Sequence, residues 1–452
     1  MGLILMSIVI FVVNNLAFVR WLSHHDETRG ENYGAVKRHL VDFASVTQPQ
    51  PPQPQPQEAP PKAKATIAYA VTLTSCGLSV HGAAVLAHSI HLSSIRNFHE
   101  SGSYYDYKLL VFVHPEAKHC TETFQKFGYE IQIRDTPFNV TDSDSAILRH
   151  FMPKTGCCGE KEYLKLYSYL QFDYPIVVQL DLDALILKPM DHLFDVMLSE
   201  GDENDEGQQL ERSARNKVSV MHNDPLPPLG SSINAYFTRD YVLQKIRDYG
   251  MVQPGKEHVG VQGGFLIVRP SQAAFDEYIQ IVLSGDFKLD GWGGKHGGYY
   301  GELQIQGIVA YFYDYKHPGT AVELNRCYYN VMADPPRKEE KYRLGKDDNT
   351  VGKCRDGREE CQDCRDVPLD EIYSLHLTVC GKPWYCEISP ELEGKTKEVC
   401  RKYHGEWYRI REDLEKARAK KSEYIPPKGR HMPEIFRGFC KREYQRGYIP
   451  AQ

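Results

Sequence analysis

Val177-Val178-Gln179-Leu180-Asp181-Leu182-Asp183-Ala184-Leu185-Ile186-Leu187-Lys188-Pro189 joins two apolar runs through a pair of aspartates. The first run has strand length and is apolar enough for a strand covered on both faces. Unpaired carboxylates are costly to bury, so two of them at the end of such a strand call for a cation. On extended backbone i and i+2 share a face, which lets Asp181 and Asp183 converge on one hard divalent ion. Ions held by a few carboxylates commonly complete their shell with substrate phosphates, and a diphosphate suits this pattern. Taken alone, an Asp-x-Asp fits two solvated acids better; the rest of the chain shifts the balance.

Upstream, Thr66–Ser75 reads as a buried strand running into a helical stretch, His81–Ile90. Tyr107–His114 and Glu130–Arg134 are further strands, with a short helix over Thr121–Phe127 between them. Lys161–Phe172 has the spacing of an amphipathic helix, and Pro175–Leu180 is the strand before the acid pair. Strands alternating with helices at this spacing predict a largely parallel α/β sheet. Ligands of such sheets gather at the carboxyl ends of strands, where Asp181 and Asp183 fall. Lys217–His222 and Gly263–Val268 read as further strands, and Gly405–Tyr424 as a charged helix. Gly291–Gly301, with Trp292, Tyr299 and Tyr300, reads equally as a mobile substrate-side loop or a flexible connector.

The composition is that of a folded protein, with 41% hydrophobic and 25% charged residues among 452. A net charge of −6 gives no pull toward nucleic acid, so no nucleic-acid partner is expected. Gly2–Val19 is almost wholly apolar and is followed by Arg20, which reads as a signal-anchor in preference to a cleaved signal peptide. Residues 47–62 are rich in Pro and Gln and form an extended spacer. Twelve cysteines, eight of them from Cys327 to Cys440, read as a disulfide framework in an oxidising compartment. A zinc knuckle at Cys354, Cys361 and Cys364 is the rival reading. Asn139-Val140-Thr141 is a glycosylation sequon consistent with a lumenal location.

His376-Leu377-Thr378-Val379-Cys380-Gly381-Lys382-Pro383-Trp384 completes the constellation. A neutral imidazole at His376 would be a third metal ligand, and Lys382 would meet the negative charge on a leaving diphosphate. Six blocks in order now resemble family-eight glycosyltransferases, the group of glycogenin, galactinol synthase and bacterial galactosyltransferases. They are Val71–Ser75 with Gly82–Ser89, Leu164-Lys165-Leu166, Leu180–Asp183 with Asp191–Phe194, Gly263–Ser271, Gln306-Gly307-Ile308, and His376 with Lys382-Pro383-Trp384. The resemblance spans roughly Ile67 to Trp384.

It implies an α/β fold of GT-A type, a nucleotide-sugar-binding domain with a mixed, mostly parallel sheet. The division that follows is a signal-anchor over 1–22, a stem over 23–64, the transferase domain over 65–385 and a basic, Cys-containing extension over 386–452. The implied metal is Mn2+, on Asp181, Asp183 and His376, and the implied donor is a UDP-sugar. Leu73, Thr74 and Ser75 would contact the uridine, Lys165 the nucleotide-sugar, and Gly381 and Lys382 the diphosphate. Gln306 would lie beneath the anomeric carbon, so that Gln306, Lys382 and Asp183 carry the reaction. The implied activity is retaining hexosyl transfer to a glycan, glycoprotein or polyol, by a membrane-anchored enzyme in the lumen of the Golgi or ER. One departure stands out. The family's aspartate before that glutamine is Ile305 here; Glu302, three residues earlier, reads as a solvated surface acid in preference to a substitute carboxylate. A lectin-like pseudoenzyme that keeps the fold without the transfer is the alternative this departure favours.

Overall fold

The computed structural model of the chain describes residues 61–199, 232–239, 260–288, 291–293, 303–335, 362–419 and 423–451. Gly2–Val19, most of the spacer, Lys217–His222, Tyr299, Tyr300, Glu302, Cys354 and Cys361 lie outside them. Among the described residues no helix is long and apolar enough to cross a membrane.

Eleven strands follow one another among the described residues: β1 (Ala65–Leu73), β2 (Tyr105–Val113), β3 (Glu130–Ile133), β4 (Val177–Leu180), β5 (Ala184–Ile186), β6 (Ala235–Arg239), β7 (Val261–Val268), β8 (Phe287–Lys288), β9 (Gly291–Trp292), β10 (Ala321–Glu323) and β11 (Ser374–His376). Seven build one sheet in the order β10-β6-β7-β4-β1-β2-β3, while β5 pairs with β11 and β8 with β9. β1 runs parallel to β2 and β4, β2 to β3, and β6 to β10. β7 lies antiparallel to both β4 and β6. The sheet is therefore mixed and mostly parallel.

The period of two along each central strand sorts its side chains between two cores. Ile67, Tyr69, Val71 and Leu73 of β1 pack with Leu109, Val111 and Val113 of β2 and with Val178 and Leu180 of β4 on one face. Ala68, Ala70, Leu110, Phe112 and Val177 pack on the other. Both faces are covered, which is why these strands read as unbroken apolar runs.

The helix Val80–Leu92 is buried continuously from Gly82 to Ile90. Its Leu86 and Ile90 face the first core, and Val85 faces a third one. Small residues at Gly82, Ala83 and Ala84 suit an element hemmed in on both sides. The third core gathers Leu375 and Trp384 with Trp407, Tyr408, Phe436 and Phe439, so residues before and after position 385 share one apolar interior. The long helix Gly394–Arg418 supplies much of it, where Gly405–Tyr424 was expected. Its start lies earlier because the Glu- and Lys-rich first turns, polar in sequence, still bury Thr396, Val399 and Cys400.

Lys161–Phe172 is a second departure. In place of an α-helix, consecutive 3₁₀ turns run from Gly159 to Leu170. With three residues per turn, side chains three apart stack in straight rows. Tyr163, Leu166 and Tyr169 form one row inside the second core. Glu162, Lys165 and Ser168 form another, in which Ser168 donates to Gln179 Oε1 of β4 at 2.9 Å.

Every cysteine among the described residues is paired: Cys76–Cys120, Cys157–Cys158, Cys327–Cys364, Cys380–Cys400 and Cys386–Cys440. Cys364 therefore serves a disulfide and not a zinc knuckle. Cys380–Cys400 fastens the loop before Lys382 to the long helix, and one turn further along, His404 Nε2 lies 3.1 Å from the Gly381 carbonyl. A carbonyl only accepts, so His404 donates as a neutral ring.

Burial pushes the His404 imidazole down from 6.5 to about 4, against a smaller upward pull from the Gly381 and Cys380 carbonyls. Between those values the unfolded chain binds a proton that the folded chain does not, so stability falls as pH drops through this window. His404 should account for a loss on the order of 3 kcal/mol by the bottom of it. Urea unfolding of the protein and of His404→Gln from pH 7 to pH 4 checks this: the variant's profile should be flatter, and equal slopes would refute the assignment.

Candidate active site

β4 ends at Leu180, and the acid pair occupies a tight turn into β5. The Ala184 N–H closes the turn by donating to the Asp181 carbonyl at 3.0 Å. The two carboxylates are thus brought together by a turn and not by strand alternation, which corrects the expectation from i, i+2 spacing. The chain bends here because Leu182, at the apex, buries its side chain in the first core while polar residues flank it. β11 pairs antiparallel with β5 and sets His376 opposite Ala184. The Leu377 N–H then donates to the Asp183 carbonyl at 3.0 Å, locking the histidine strand to the acid turn.

Ligand atoms of Asp181, Asp183 and His376 all lie within 4.8 Å of one another. His376 Nε2 stands 3.4 Å from Asp183 Oδ2 and 3.8 Å from Asp181 Oδ2. Donors about 2.0–2.2 Å from one small divalent cation stand roughly 3–4 Å apart, so the set fits such an ion. His376 Nδ1 is buried without a hydrogen-bond partner. Gly264 on β7 forms the floor: a Cβ there would sit 2.3 Å from His376 Cε1 and 2.9 Å from Asp181 Oδ2. That floor is braced by Gln262, whose Oε1 accepts from the Gly264 N–H at 2.6 Å and from Asn330 Nδ2 at 3.3 Å.

Two lysines balance the acids. Lys382 Nζ pairs with Asp183 Oδ2. Burial raises the Asp183 carboxyl, but the Lys382 ammonium and His376 outweigh it and hold the group well below the usual carboxylate range. Gly381, at φ +82°, makes the bend that presents Lys382, a backbone region that favours glycine. Lys165 is buried and uses its ammonium on three acceptors: Asp181 Oδ1 at 2.9 Å, the Gly263 carbonyl at 2.9 Å and Glu162 Oε1 at 3.2 Å. Burial lowers its pKa and the Asp181 and Glu162 charges more than reverse this, so Lys165 stays charged.

Five of the sequence-derived residues therefore meet directly: Asp181, Asp183, His376, Lys165 and Lys382. Leu73, Thr74 and Ser75 lie one strand over, at the carboxyl end of β1, with no hydrogen bond or ion pair to that group. Their loop is tied to the segment after β2 by Cys76–Cys120. Gln306 opens the helix Ile305–Tyr311 and reaches the site beside Gly263, where a Cβ would meet Gln306 Cγ at 3.1 Å and Ile305 Cγ2 at 3.0 Å. Ile305 itself is buried in the second core.

Glu162 was not legible as a site residue. Its segment, Gly159-Glu160-Lys161-Glu162-Tyr163-Leu164-Lys165, carries charge throughout, and only the 3₁₀ winding shows that Glu162 and Lys165 share the inward row. His404 was likewise unmarked, and Cys400 read only as part of the disulfide framework; the two hold the backbone of Gly381 and Cys380.

No protein-family model matches the chain, and no curated protein matches it. Among solved structures it is similar to mouse xyloside xylosyltransferase 1, at 12% identity over 59% of this chain and 87% of that one, with a TM-score of 0.33. It is similar to the galactosyltransferase LgtC in complex with donor and acceptor sugar analogs, at 13% identity over 74% and 95%, with a TM-score of 0.33. It is also similar to the glycosyltransferase GlyE of Streptococcus pneumoniae, at 13% identity over 81% and 67%, with a TM-score of 0.38. Superpositions this loose leave the site's own geometry to carry the functional reading.

Gly264→Ala tests the floor. The added methyl must displace the His376 ring or the Asp181 carboxylate, at an overpacking cost of about 1–3 kcal/mol. The variant should fold, with a lowered melting temperature, and lose Mn2+ binding at least tenfold in an electron-paramagnetic-resonance titration. Unchanged Mn2+ affinity would show that these three residues do not form one ligand set.

Proposed function

We propose that this protein is a metal-dependent glycosyltransferase of the GT-A type that moves a sugar from a UDP-sugar to a carbohydrate, glycoprotein or polyol acceptor with retention of anomeric configuration. The observation that carries the reading is the meeting of Asp181, Asp183 and His376 at the carboxyl end of a central strand, with Lys382 against them. Family-eight resemblance in the sequence points the same way. Asp181, Asp183 and His376 would hold Mn2+, which supplies a positive charge against the diphosphate of the donor.

The side chains of this chain have the following roles. Lys382, on its Gly381 bend, meets the charge that builds on the leaving diphosphate oxygen as its bond to the anomeric carbon breaks. Leu73, Thr74 and Ser75 receive the uridine at the end of β1. Lys165 holds the Asp181 carboxylate in place through their ion pair. Gln306 lies beneath the sugar, and the acceptor oxygen bonds to the anomeric carbon from the face the diphosphate leaves. The acceptor's proton passes to that departing phosphate oxygen. Five disulfides among the described residues suit an oxidising lumen. With residues 1–22 as a signal-anchor and 23–64 as a stem, the enzyme would face the lumen of the Golgi or ER.

A second reading has its own support. Ile305 puts an apolar side chain where a carboxylate is usual, which favours a lectin-like protein that binds the donor without transfer. UDP release separates the two. UDP-glucose, UDP-galactose, UDP-N-acetylglucosamine, UDP-xylose and UDP-glucuronate, each with Mn2+, should include at least one donor that releases UDP. Asp183→Ala should abolish Mn2+-dependent UDP binding in calorimetry. Lys382→Ala should lower UDP release by about 10²-fold. Tight Mn2+-dependent UDP binding with no release from any donor would leave the lectin-like reading standing.

A further inference from the structure

We propose that Glu162 is the carboxylate that reads a hydroxyl of the donor sugar, in the place Ile305 leaves without one. The inference rests on the transferase reading above. Glu162 belongs to the inward row of the Gly159–Leu170 turns, next to Lys165. Its side chain is 13% exposed, and Oε1 accepts from Lys165 Nζ at 3.2 Å. Among the described residues Lys165 is its one hydrogen-bond or ion-pair partner, through Oε1. Burial pushes its carboxyl above the usual range, with Lys165 pulling down and Asp181 pushing up, so one lysine shared with a second acid does not fully satisfy it.

Position argues for a sugar and against the nucleotide. Lys165 Nζ bridges Asp181 and Glu162, so the two carboxylates share one ammonium. Asp181 belongs to the metal and diphosphate end of the site. Glu162 also borders Gly263, where a Cβ would stand 3.3 Å from its Oε1 and 3.1 Å from Gln306 Cγ. Glycine at 263 thus keeps open a wall shared by Glu162 and Gln306, the residue placed beneath the anomeric carbon. A carboxylate is repelled by a diphosphate, whereas it accepts readily from a neutral hydroxyl. Ile305 is 1% exposed and has no polar atom to offer, so the carboxylate at this wall comes from the Lys165 segment.

The test compares UDP with UDP-glucose and UDP-galactose on the full chain with Mn2+, using calorimetry for affinity and UDP release for turnover. Glu162→Gln and Glu162→Ala should bind UDP within about twofold of the unaltered protein. They should lose about 10- to 100-fold in affinity for the preferred UDP-hexose, the range of a hydrogen bond to a charged acceptor. Discrimination between the two epimeric donors should shrink with it. Parallel losses for UDP and UDP-hexose would assign Glu162 to holding Lys165 and overturn the proposal, as would unchanged donor affinity and discrimination. The unaltered protein reports on the parent reading separately: failure there to bind UDP with Mn2+ removes the transferase reading and this one together, whereas intact UDP binding with a silent Glu162 removes this one alone.

Discussion

The site depends on compensating two carboxylates that sit at the edge of a buried strand. Asp183 is almost wholly withdrawn from water. A lone charge there would neutralise itself by taking up a proton. Lys382 and His376 prevent this at Asp183, and Lys165 forms an ion pair with Asp181. The arrangement is a sheet end preloaded with polar partners, two of which, Lys382 and His376, come from segments about 200 residues away in sequence. Holding these partners in place is the work of β7, β11 and the third core.

How much of this was readable follows from the range of the interactions involved. β1, β2 and β4 were legible because strands covered on both faces are continuous apolar runs. The acid pair, His376 and Lys382 were legible because their chemistry is unusual at those spacings. The cause of convergence was not: i, i+2 spacing looked like strand geometry, and a tight turn with a buried Leu182 at its apex does the job instead. Winding between Gly159 and Leu170 was also hidden, since buried residues three apart fit either an α-helical or a 3₁₀ turn locally. The choice falls to tertiary packing, which lines up Tyr163, Leu166 and Tyr169 in the core and Glu162 and Lys165 toward the site.

Residues 386–452 read in sequence as a basic, Cys-containing extension. Their placement shows a different physical role. Trp407, Tyr408 and Phe436 share an interior with Leu375 and Trp384, and His88 on the helix that follows β1 lies 2.7 Å from Asp413 on the long helix. The helix Val80–Leu92 is sandwiched between the sheet and this unit, which explains why it carries almost no polar face. Backbone hydrogen bonds and packing of this kind leave little trace in local sequence, because any of several apolar residues would serve.

Cys380–Cys400 brackets Lys382, the lysine paired with Asp183. The bend at Gly381 is therefore anchored by a bond that can form only after the final third of the chain has been made and oxidised. A newly synthesised chain, sheet complete but this crosslink missing, would have its acids in position and the Lys382 ammonium on a slack tether. The Asp183–Lys382 pair would then be fixed only as a late event of maturation, once the two sulfurs are oxidised.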